Sequence, residues 1–329
     1  MITEKYAEAY RKEYEKDAAG NVPGVYKDKD AYLADCFHTY ENYCAGKPPD
    51  VQVRKWLALL GSPNLLGFKT AFLSSSPELL NDALYQSAAI GHAQKIWATG
   101  FDHCANVWTA LDALAAGMNE RVPLLLPEDL GMSSNGHSVT VAAANLLMAV
   151  WYGRKDFEED GRKKAEQALG TKQPASDHAV IRYLAAILDG DAAEAGVQLD
   201  LYCRGVSGMR DFGLTKLEKM FWPRAHGLYN LAFAVWKKEK AMTVPVPEPD
   251  CFCKDLAQWQ TEHDFSPGRL FIEYPEPMGL VNKILYCTPP KYTLHQPYLD
   301  TKKSYKNQRF AFAERFREQM VEKVMEDVR

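Results

Sequence analysis

Asp102, His103 and Cys104 supply a carboxylate, an imidazole and a thiol, the groups from which an activated cysteine nucleophile is built. Consecutive residues of a helix point about 100° apart, so these three side chains cannot converge on one another. A catalytic site would need a partner from elsewhere in the chain. Helix capping and core packing explain the three residues more simply.

The stretch from Ser133 to Ser138 reads Ser-Ser-Asn-Gly-His-Ser and offers hydroxyls beside a histidine. It lacks the Gly-x-Ser-x-Gly pattern of a nucleophile elbow, and no strand precedes it. We therefore expect Ser138 to cap a helix that begins at Val139. We predict a non-enzymatic protein, and His103, Cys104 and His137 are the residues to test if the chain is an unfamiliar enzyme.

Cys251, Cys253 and His263 carry atoms that bind zinc. Zinc sites normally add a second ligand pair and separate paired cysteines by two to four residues, whereas here one residue separates them. The cysteines are better explained as small apolar side chains at a helix start. Phosphate-binding motifs such as Gly-x-x-x-x-Gly-Lys-Ser/Thr and Gly-x-Gly-x-x-Gly do not occur, so we expect neither a metal nor another cofactor.

The chain has 329 residues, with 39 basic against 43 acidic side chains, and 47% of its residues are hydrophobic. This composition predicts a globular protein with a substantial core. The net charge of −4 disfavours nucleic acid and anionic membranes as partners. No stretch approaches the roughly 20 apolar residues of a membrane span, and no signal peptide is evident. The odd number of cysteines, seven, favours reduced thiols in a cytoplasm.

One basic and aromatic run near the C-terminus resembles a nucleic-acid surface in composition. The overall acidity argues against that interpretation, and we expect the aromatic rings to pack on the body while the cations stay in solvent. The run comprises Lys291, Tyr292, Tyr298, Lys302, Lys303, Tyr305, Lys306, Arg309 and Phe310.

The elements that must position all of these residues are helices. Between Ser138 and Arg204, apolar residues recur at helical spacing in two segments that end at Gly153 and Gly190, 37 residues apart. An amphipathic helix follows each break, as in stacked helix-pair repeats. We predict an all-α fold of stacked antiparallel helical hairpins, with an irregular proline-rich C-terminal segment and a final helix from about 309 to 326.

Local signals set the boundaries of several further helices. Thr3, the pair Ser76-Pro77, and Thr215 with Glu218 have the residue types of helix starts. The helix that follows Thr215 must bend or restart at Pro223. We divide the chain into an N-terminal helical region (1–121), a central hairpin region (122–243), and a proline-rich segment with the C-terminal helix (244–329), packed on the same body.

The turns after the two glycine breaks are rich in carboxylates. An acidic edge of this kind attracts basic partners and steers their approach. Arg154, Lys155, Arg162, Lys163 and Lys164 surround the first cluster, so an ordinary solvated face is the alternative. We name the predicted partner-binding surface the acidic ridge; it comprises Asp156, Glu158, Glu159, Asp160, Asp189, Asp191 and Glu194.

Three stretches carry a family resemblance: Ala144 to Gly153, Tyr183 to Asp191, and His226 to Phe233. In this order they resemble the all-helical bacterial immunity proteins that neutralise polymorphic toxins, and the family called immunity protein forty-nine in particular. The resemblance covers roughly residues 111–259. It implies a non-enzymatic inhibitor encoded beside a toxin that is delivered by contact-dependent or type VI secretion, and it brings no catalytic residues.

The expected partner is then a cognate protein toxin that acts in the cytoplasm, such as a nuclease or a nucleotide-degrading enzyme. The alternative is a helical-repeat scaffold that binds an endogenous protein or peptide in a concave groove. An unfamiliar enzyme is the third hypothesis. The sequence leaves both a monomer and a homodimer open.

Overall fold

The computed structural model describes residues 3–95, 101–209, 214–294 and 313–326. Over these ranges the chain forms α-helices and short 3-10 turns and no β-strand, which confirms the all-α fold. The helices are α1 (Glu4–Ala19), α2 (Lys29–Tyr43), α3 (Pro49–Leu59), α4 (Asn64–Leu73), α5 (Pro77–Ala93), α6 (Val107–Ala115), α7 (Val122–Leu125), α8 (Ser138–Tyr152), α9 (Lys155–Leu169), α10 (Ala175–Asp189), α11 (Ala192–Val206), α12 (Lys216–Met220), α13 (Pro223–Val235), α14 (Lys238–Ala241), α15 (Lys254–Glu262), α16 (Leu280–Tyr286) and α17 (Ala313–Glu326).

Several helix starts follow the local signals. The Thr3 side chain accepts a hydrogen bond from the Tyr6 amide, and the Ser76 side chain accepts one from the Leu79 amide. Thr215 and Glu218 form the predicted capping box, in which each side chain accepts from the other residue's amide. These side chains satisfy amide groups that have no partner inside the helix, so the starts are fixed locally.

Other boundaries differ from the prediction. Helix α8 begins at Ser138 itself, with His137 in the cap position and no side-chain hydrogen bond, so the predicted Ser138 cap is wrong. The segment near Ile272 belongs to no helix, and among the described residues it pairs with no strand. The Ile272 amide donates to the Gln86 side chain at 2.7 Å, and the Ile272 carbonyl accepts from the same side chain at 3.2 Å. The Gln86 side chain thus makes the two backbone hydrogen bonds that a neighbouring strand would otherwise make.

The two predicted hairpins are α8 with α9 and α10 with α11, and they stack through α8 and α10. Gly153 and Gly190 end the first helix of each hairpin with φ angles of 62° and 74°. This left-handed conformation favours glycine because a Cβ atom would crowd the backbone. The hairpin turns therefore depend on the two glycines that the sequence spacing singled out.

Helices α6 and α13 pack at unusually close range. A Cβ atom on Gly227 of α13 would lie 2.0 Å from the Leu111 carbonyl oxygen of α6. Three residues later, the Asn230 side chain donates to the Leu114 carbonyl at 3.0 Å. Because both positions advance together along the two helices, α6 and α13 run parallel. Glycine at 227 is what permits this approach.

The C-terminal helix α17 packs against α3 and buries Phe316, Met320 and Val324. The three residues are spaced four apart in the sequence, so they lie on one face of this helix. Among the described residues, no helix combines the length and apolar character that crossing a bilayer demands. The boundaries proposed at 121 and 243 stay predictions.

We expect Gly227→Ala to lower the free energy of unfolding by about 2 to 3 kcal/mol, because the added methyl group overlaps the Leu111 backbone and forces the helices apart. Urea unfolding followed by circular dichroism measures the change.

Gly91→Ala is the control, since a Cβ atom at Gly91, in the last turn of α5, meets nothing within 4 Å. We expect it to change stability by less than about 1 kcal/mol, in the stabilising direction, through helix propensity alone. Equal effects of the two substitutions would contradict the close packing of α6 on α13.

Candidate functional site

The acidic ridge lies where the two hairpin turns meet. The Arg162 side chain of α9 joins them, because it contacts Glu158 at 2.9 Å on its own helix and Asp189 at 2.6 Å at the end of α10. The Arg154 side chain contacts Asp156 at 2.5 Å. The structure therefore brings both predicted clusters together, and two of the surrounding cations partly neutralise them.

The other ridge carboxylates differ in their surroundings. Asp160 accepts a hydrogen bond from the Asn145 side chain at 3.2 Å. Asp191 caps α11 by accepting from the Glu194 amide, and Glu194 accepts from Gln198 at 2.8 Å. Glu159 is exposed on α9. Partner binding by the ridge stays a prediction.

An apolar surface that the sequence analysis missed begins beside Glu194. Val197 and Leu201 follow Glu194 at positions i+3 and i+7 of α11, so all three share one face of the helix. Their exposed fractions are 52% for Val197 and 46% for Leu201, high values for side chains of this size. The spacing was visible in the sequence, but only the fold shows that Val197 and Leu201 stay about half exposed.

Residues 245–248 extend the apolar surface alongside α11. Pro245 packs on Gly196, where an added Cβ atom would lie 2.3 Å from the proline ring. The Glu248 amide donates to Asp200 at 2.9 Å. Val246 lies between these contacts with 39% of its surface exposed. We call the apolar surface formed by Val197 and Leu201 of α11, together with Val246 beside that helix, the α11 face.

A cleft of about 620 Å³ lies at the opposite end of the hairpins. The first turns of α8, α10 and α13 reach it together with parts of α4, α5, α6 and α11. Its volume falls in the range of small-ligand sites. Its polar and aromatic lining includes Trp108, Asp112, His137, Asp177, Tyr202, Glu218, Trp222 and Arg224.

Arg224 organises one wall of this cleft. Its guanidinium carbon lies 5.4 Å from the Trp108 ring centroid and 5.8 Å from that of Trp222, and its Nε atom is 3.5 Å from Asp112. The Trp222 indole donates to the Tyr202 hydroxyl at 2.8 Å. Burial raises the pKa of Asp112, although the charge of Arg224 opposes this. The wall is thus a fixed set of rings around one cation.

Lys95 lies behind the same wall. Its ammonium group donates to the Thr109 hydroxyl at 2.5 Å and to the Ala105 carbonyl at 3.0 Å. Burial lowers the pKa of Lys95 to about 8, while the charge of Asp112 opposes the shift. A basic group and an acidic group with shifted pKa values therefore lie side by side, a pattern that also occurs at binding sites.

The catalytic candidates near residue 102 belong to a buried hydrogen-bond network centred on Asp102, which we call the Asp102 node. The Asp102 carboxylate accepts from the Ser133 hydroxyl at 2.5 Å and from the amides of Cys104, Ser134 and Asn135 at 3.0, 2.8 and 2.9 Å. Asp102 thus holds the loop after residue 132 against the start of the 3-10 turn that precedes α6.

The geometry of this node does not match nucleophile activation. His103 Nδ1 is 3.9 Å from the Asp102 carboxylate, too far for a hydrogen bond. Burial is the main cause that raises the pKa of Cys104 to about 12, so its thiol stays protonated. His137 lines the cleft instead, whereas His103 and Cys104 do not.

Two other groups of residues were considered from the sequence, the possible zinc ligands and the basic and aromatic run. The Cys253 amide donates to His226, and His263 stacks on Trp259. Across the described ranges, no three His, Cys, Asp or Glu residues are grouped as a metal site requires. In the basic and aromatic run, Tyr292 is buried as expected, and Lys291 pairs with Asp129 at 2.5 Å. Positions 298–310 of that run lie outside the described residues.

No protein-family model, no curated protein and no solved structure matches the chain. An assignment of function therefore depends on the surfaces described above and on the resemblance carried by the three helical stretches.

We expect Asp102→Asn to lower the free energy of unfolding at pH 7 by about 2 to 3 kcal/mol, because it removes a charged acceptor of several buried hydrogen bonds. Burial opposes ionisation of Asp102, but His103 and the hydrogen bonds from Cys104, Ser133 and Ser134 outweigh it and hold the Asp102 pKa below its usual value. The stabilisation is therefore present above the unfolded pKa of about 3.9 and lost as the pH falls through the folded pKa.

Urea unfolding between pH 3 and pH 7 should show a gap between the free energies of unfolding of wild type and Asp102→Asn that narrows as the pH falls below about 3.9. Glu41→Gln, on an exposed residue of α2, is the control and should show no gap at any pH. A gap that persists unchanged at pH 3 would rule out the ionised Asp102 node.

Proposed function

We propose that this protein is an immunity protein that binds a cognate toxin in the bacterial cytoplasm and blocks the toxin's active site without catalysing a reaction. The observation that carries the proposal is the exposed α11 face beside the acidic ridge. Protein interfaces commonly combine an apolar centre with a polar and charged rim. The resemblance of the α8, α10 and α13 stretches to immunity proteins agrees with this proposal.

Charge complementarity favours a basic partner. A toxin that cleaves nucleic acid must bind a polyanion and therefore presents cationic side chains around its active site. An acidic inhibitor surface complements such a site and speeds the encounter. Helices packed on a common core also lose little conformational freedom on binding, which favours tight inhibition.

The first test is a rescue assay. The gene next to this one is expressed in a sensitive bacterium with and without this chain, and the two products are then purified together. Restored growth with a stable complex supports the proposal. A neighbouring product that is harmless, or that is toxic and unaffected by this chain, would rule out immunity against that neighbour.

We expect the triple variant Asp156→Lys, Glu158→Lys and Glu159→Lys to bind the toxin at least 10-fold more slowly at low salt, with a smaller effect on dissociation. The reason is the loss of long-range attraction, which salt also screens. Stopped-flow or surface-plasmon measurements at several salt concentrations give both rates.

The control is a second triple reversal, Glu15→Lys, Glu41→Lys and Glu322→Lys, at exposed positions on α1, α2 and α17. It changes the net charge equally but leaves the acidic ridge intact. If both triple variants slow association to the same extent, or neither does, the ridge has no specific role in steering.

The α11 face makes a separate prediction. Leu201→Ala should speed dissociation of the toxin about 10-fold, because it truncates an apolar contact at the centre of the interface. Leu73→Ala on α4 removes a side chain with the same exposed fraction, 46%, and should leave dissociation unchanged. Equal dissociation rates for the two variants would place the interface elsewhere.

The alternative is a scaffold that binds a peptide in the cleft. The volume of about 620 Å³ and the aromatic wall around Arg224 favour it. Trp108→Ala would then abolish partner binding while Leu201→Ala would not, the reverse of the pattern expected for the immunity protein.

A further inference from the structure

Arg224 presents hydrogen-bond donors to the cleft that no acceptor in the described chain occupies. Its side chain is 36% exposed, and the carboxylate that pairs with it, Asp112, approaches the Nε atom at 3.5 Å. The two terminal nitrogens of Arg224, Nη1 and Nη2, form no hydrogen bond with the described residues. A molecule in the cleft can therefore reach a guanidinium fork that the protein itself leaves open.

Trp108 and Tyr202 add two further donors to the same wall. The Trp108 ring lies against the Arg224 guanidinium at 5.4 Å, and its Nε1 atom makes no hydrogen bond within the described ranges. The Tyr202 hydroxyl accepts from the Trp222 indole at 2.8 Å, while its own proton has no acceptor among the described residues. Tyr202 is 3% exposed, and burial raises its pKa, so the hydroxyl keeps that proton. A buried donor without an acceptor is unfavourable, and a ligand oxygen would satisfy it.

The carboxylates nearest to this wall already have partners. Asp112 pairs with Arg224, and the charge of Lys95 acts on the same carboxylate. Glu218 accepts from the Thr215 amide at 2.7 Å in the capping box of α12. The wall around Asp112 therefore holds two cations for one carboxylate, and it attracts a negatively charged group.

Apolar side chains line much of the remaining cleft. They include Phe68, Leu84, Val139 and Phe221. The cleft volume of about 620 Å³ is typical of sites for small organic molecules and far larger than a bare inorganic anion requires. A ligand that fits the cleft therefore combines an anionic group with an apolar body.

We propose that the cleft binds a small monocarboxylate with an aromatic or aliphatic body. The Arg224 fork donates to both carboxylate oxygens, the arrangement that guanidinium groups favour, and the donors of Trp108 and Tyr202 lie in the same wall. Asp177 and Glu218 also line the cleft and repel a ligand with several negative charges, such as a nucleotide. The proposal goes beyond the immunity function, because its test involves neither the toxin nor the acidic ridge.

The experiment is isothermal titration calorimetry of the full chain with phenylacetate, with neutral phenylacetamide and with phenyl phosphate. We expect phenylacetate to bind saturably and the amide to bind about 10-fold more weakly, because it lacks the charge that strengthens hydrogen bonds from Arg224. Phenyl phosphate, whose second negative charge meets the carboxylates of the cleft, should also bind more weakly. Phenylacetamide or phenyl phosphate that binds as tightly as phenylacetate would overturn the proposal.

The carboxylate can belong to a free acid or to the C-terminus of a peptide. The tripeptide Gly-Gly-Phe and its C-terminal amide distinguish these sources in the same experiment, since only the free C-terminus should bind. Whichever carboxylate binds more tightly, phenylacetate or the tripeptide, identifies the source. If neither binds at up to about 10 mM, a concentration that saturates even a millimolar site, the proposal is wrong.

A matched pair of variants connects binding to Arg224. Arg224→Lys keeps the positive charge but removes the fork, and it should weaken binding of the carboxylate about 10-fold. Arg182→Lys makes the same change at an exposed arginine of α10 outside the cleft lining, and it should bind as wild type does. Circular dichroism shows whether both variants fold, and the comparison with phenylacetamide on wild type decides the question if one does not. A folded Arg224→Lys variant with wild-type affinity would contradict the proposal.

Discussion

A single buried amide side chain joins four helices of this protein. Gln260 of α15 donates to Asn81 of α5 and to the Ala115 carbonyl of α6, both at 2.8 Å, and accepts from Asn230 of α13 at 3.0 Å. Gln260 is fully buried, so each of these bonds lies in a low-dielectric environment where an unmade bond is expensive. The positions of the four helices are therefore specified together and not pair by pair.

The parts of the structure that the sequence predicts are those with a local cause. Gly153 and Gly190 end helices because of their own backbone conformation, and Thr215 and Glu218 cap a helix three residues apart. Such signals require no knowledge of the tertiary fold. The two hairpin turns and the starts of α1, α5 and α12 follow from them.

The missed features join residues far apart in the sequence. Gln86 takes the place of a strand for Ile272, 186 residues away, and nothing in either local sequence indicates that pairing. The wall of the cleft requires Trp108 and Arg224 to meet, which depends on the parallel packing of α6 and α13. Exposure of Leu201 depends on which neighbours α11 lacks, a property of the whole fold. The carboxylates of the acidic ridge could be picked out in the sequence, but their ion pairs with Arg162 could not.

The cleft and the acidic ridge lie at opposite ends of the hairpin helices. Helix α8 begins at the cleft and ends at the turn that carries the acidic ridge, and its 15 residues span about 22 Å. The α11 face lies between these two ends, because Leu201 directly precedes Tyr202, which lines the cleft. A partner that covers the ridge and the α11 face therefore extends along α11 toward the cleft.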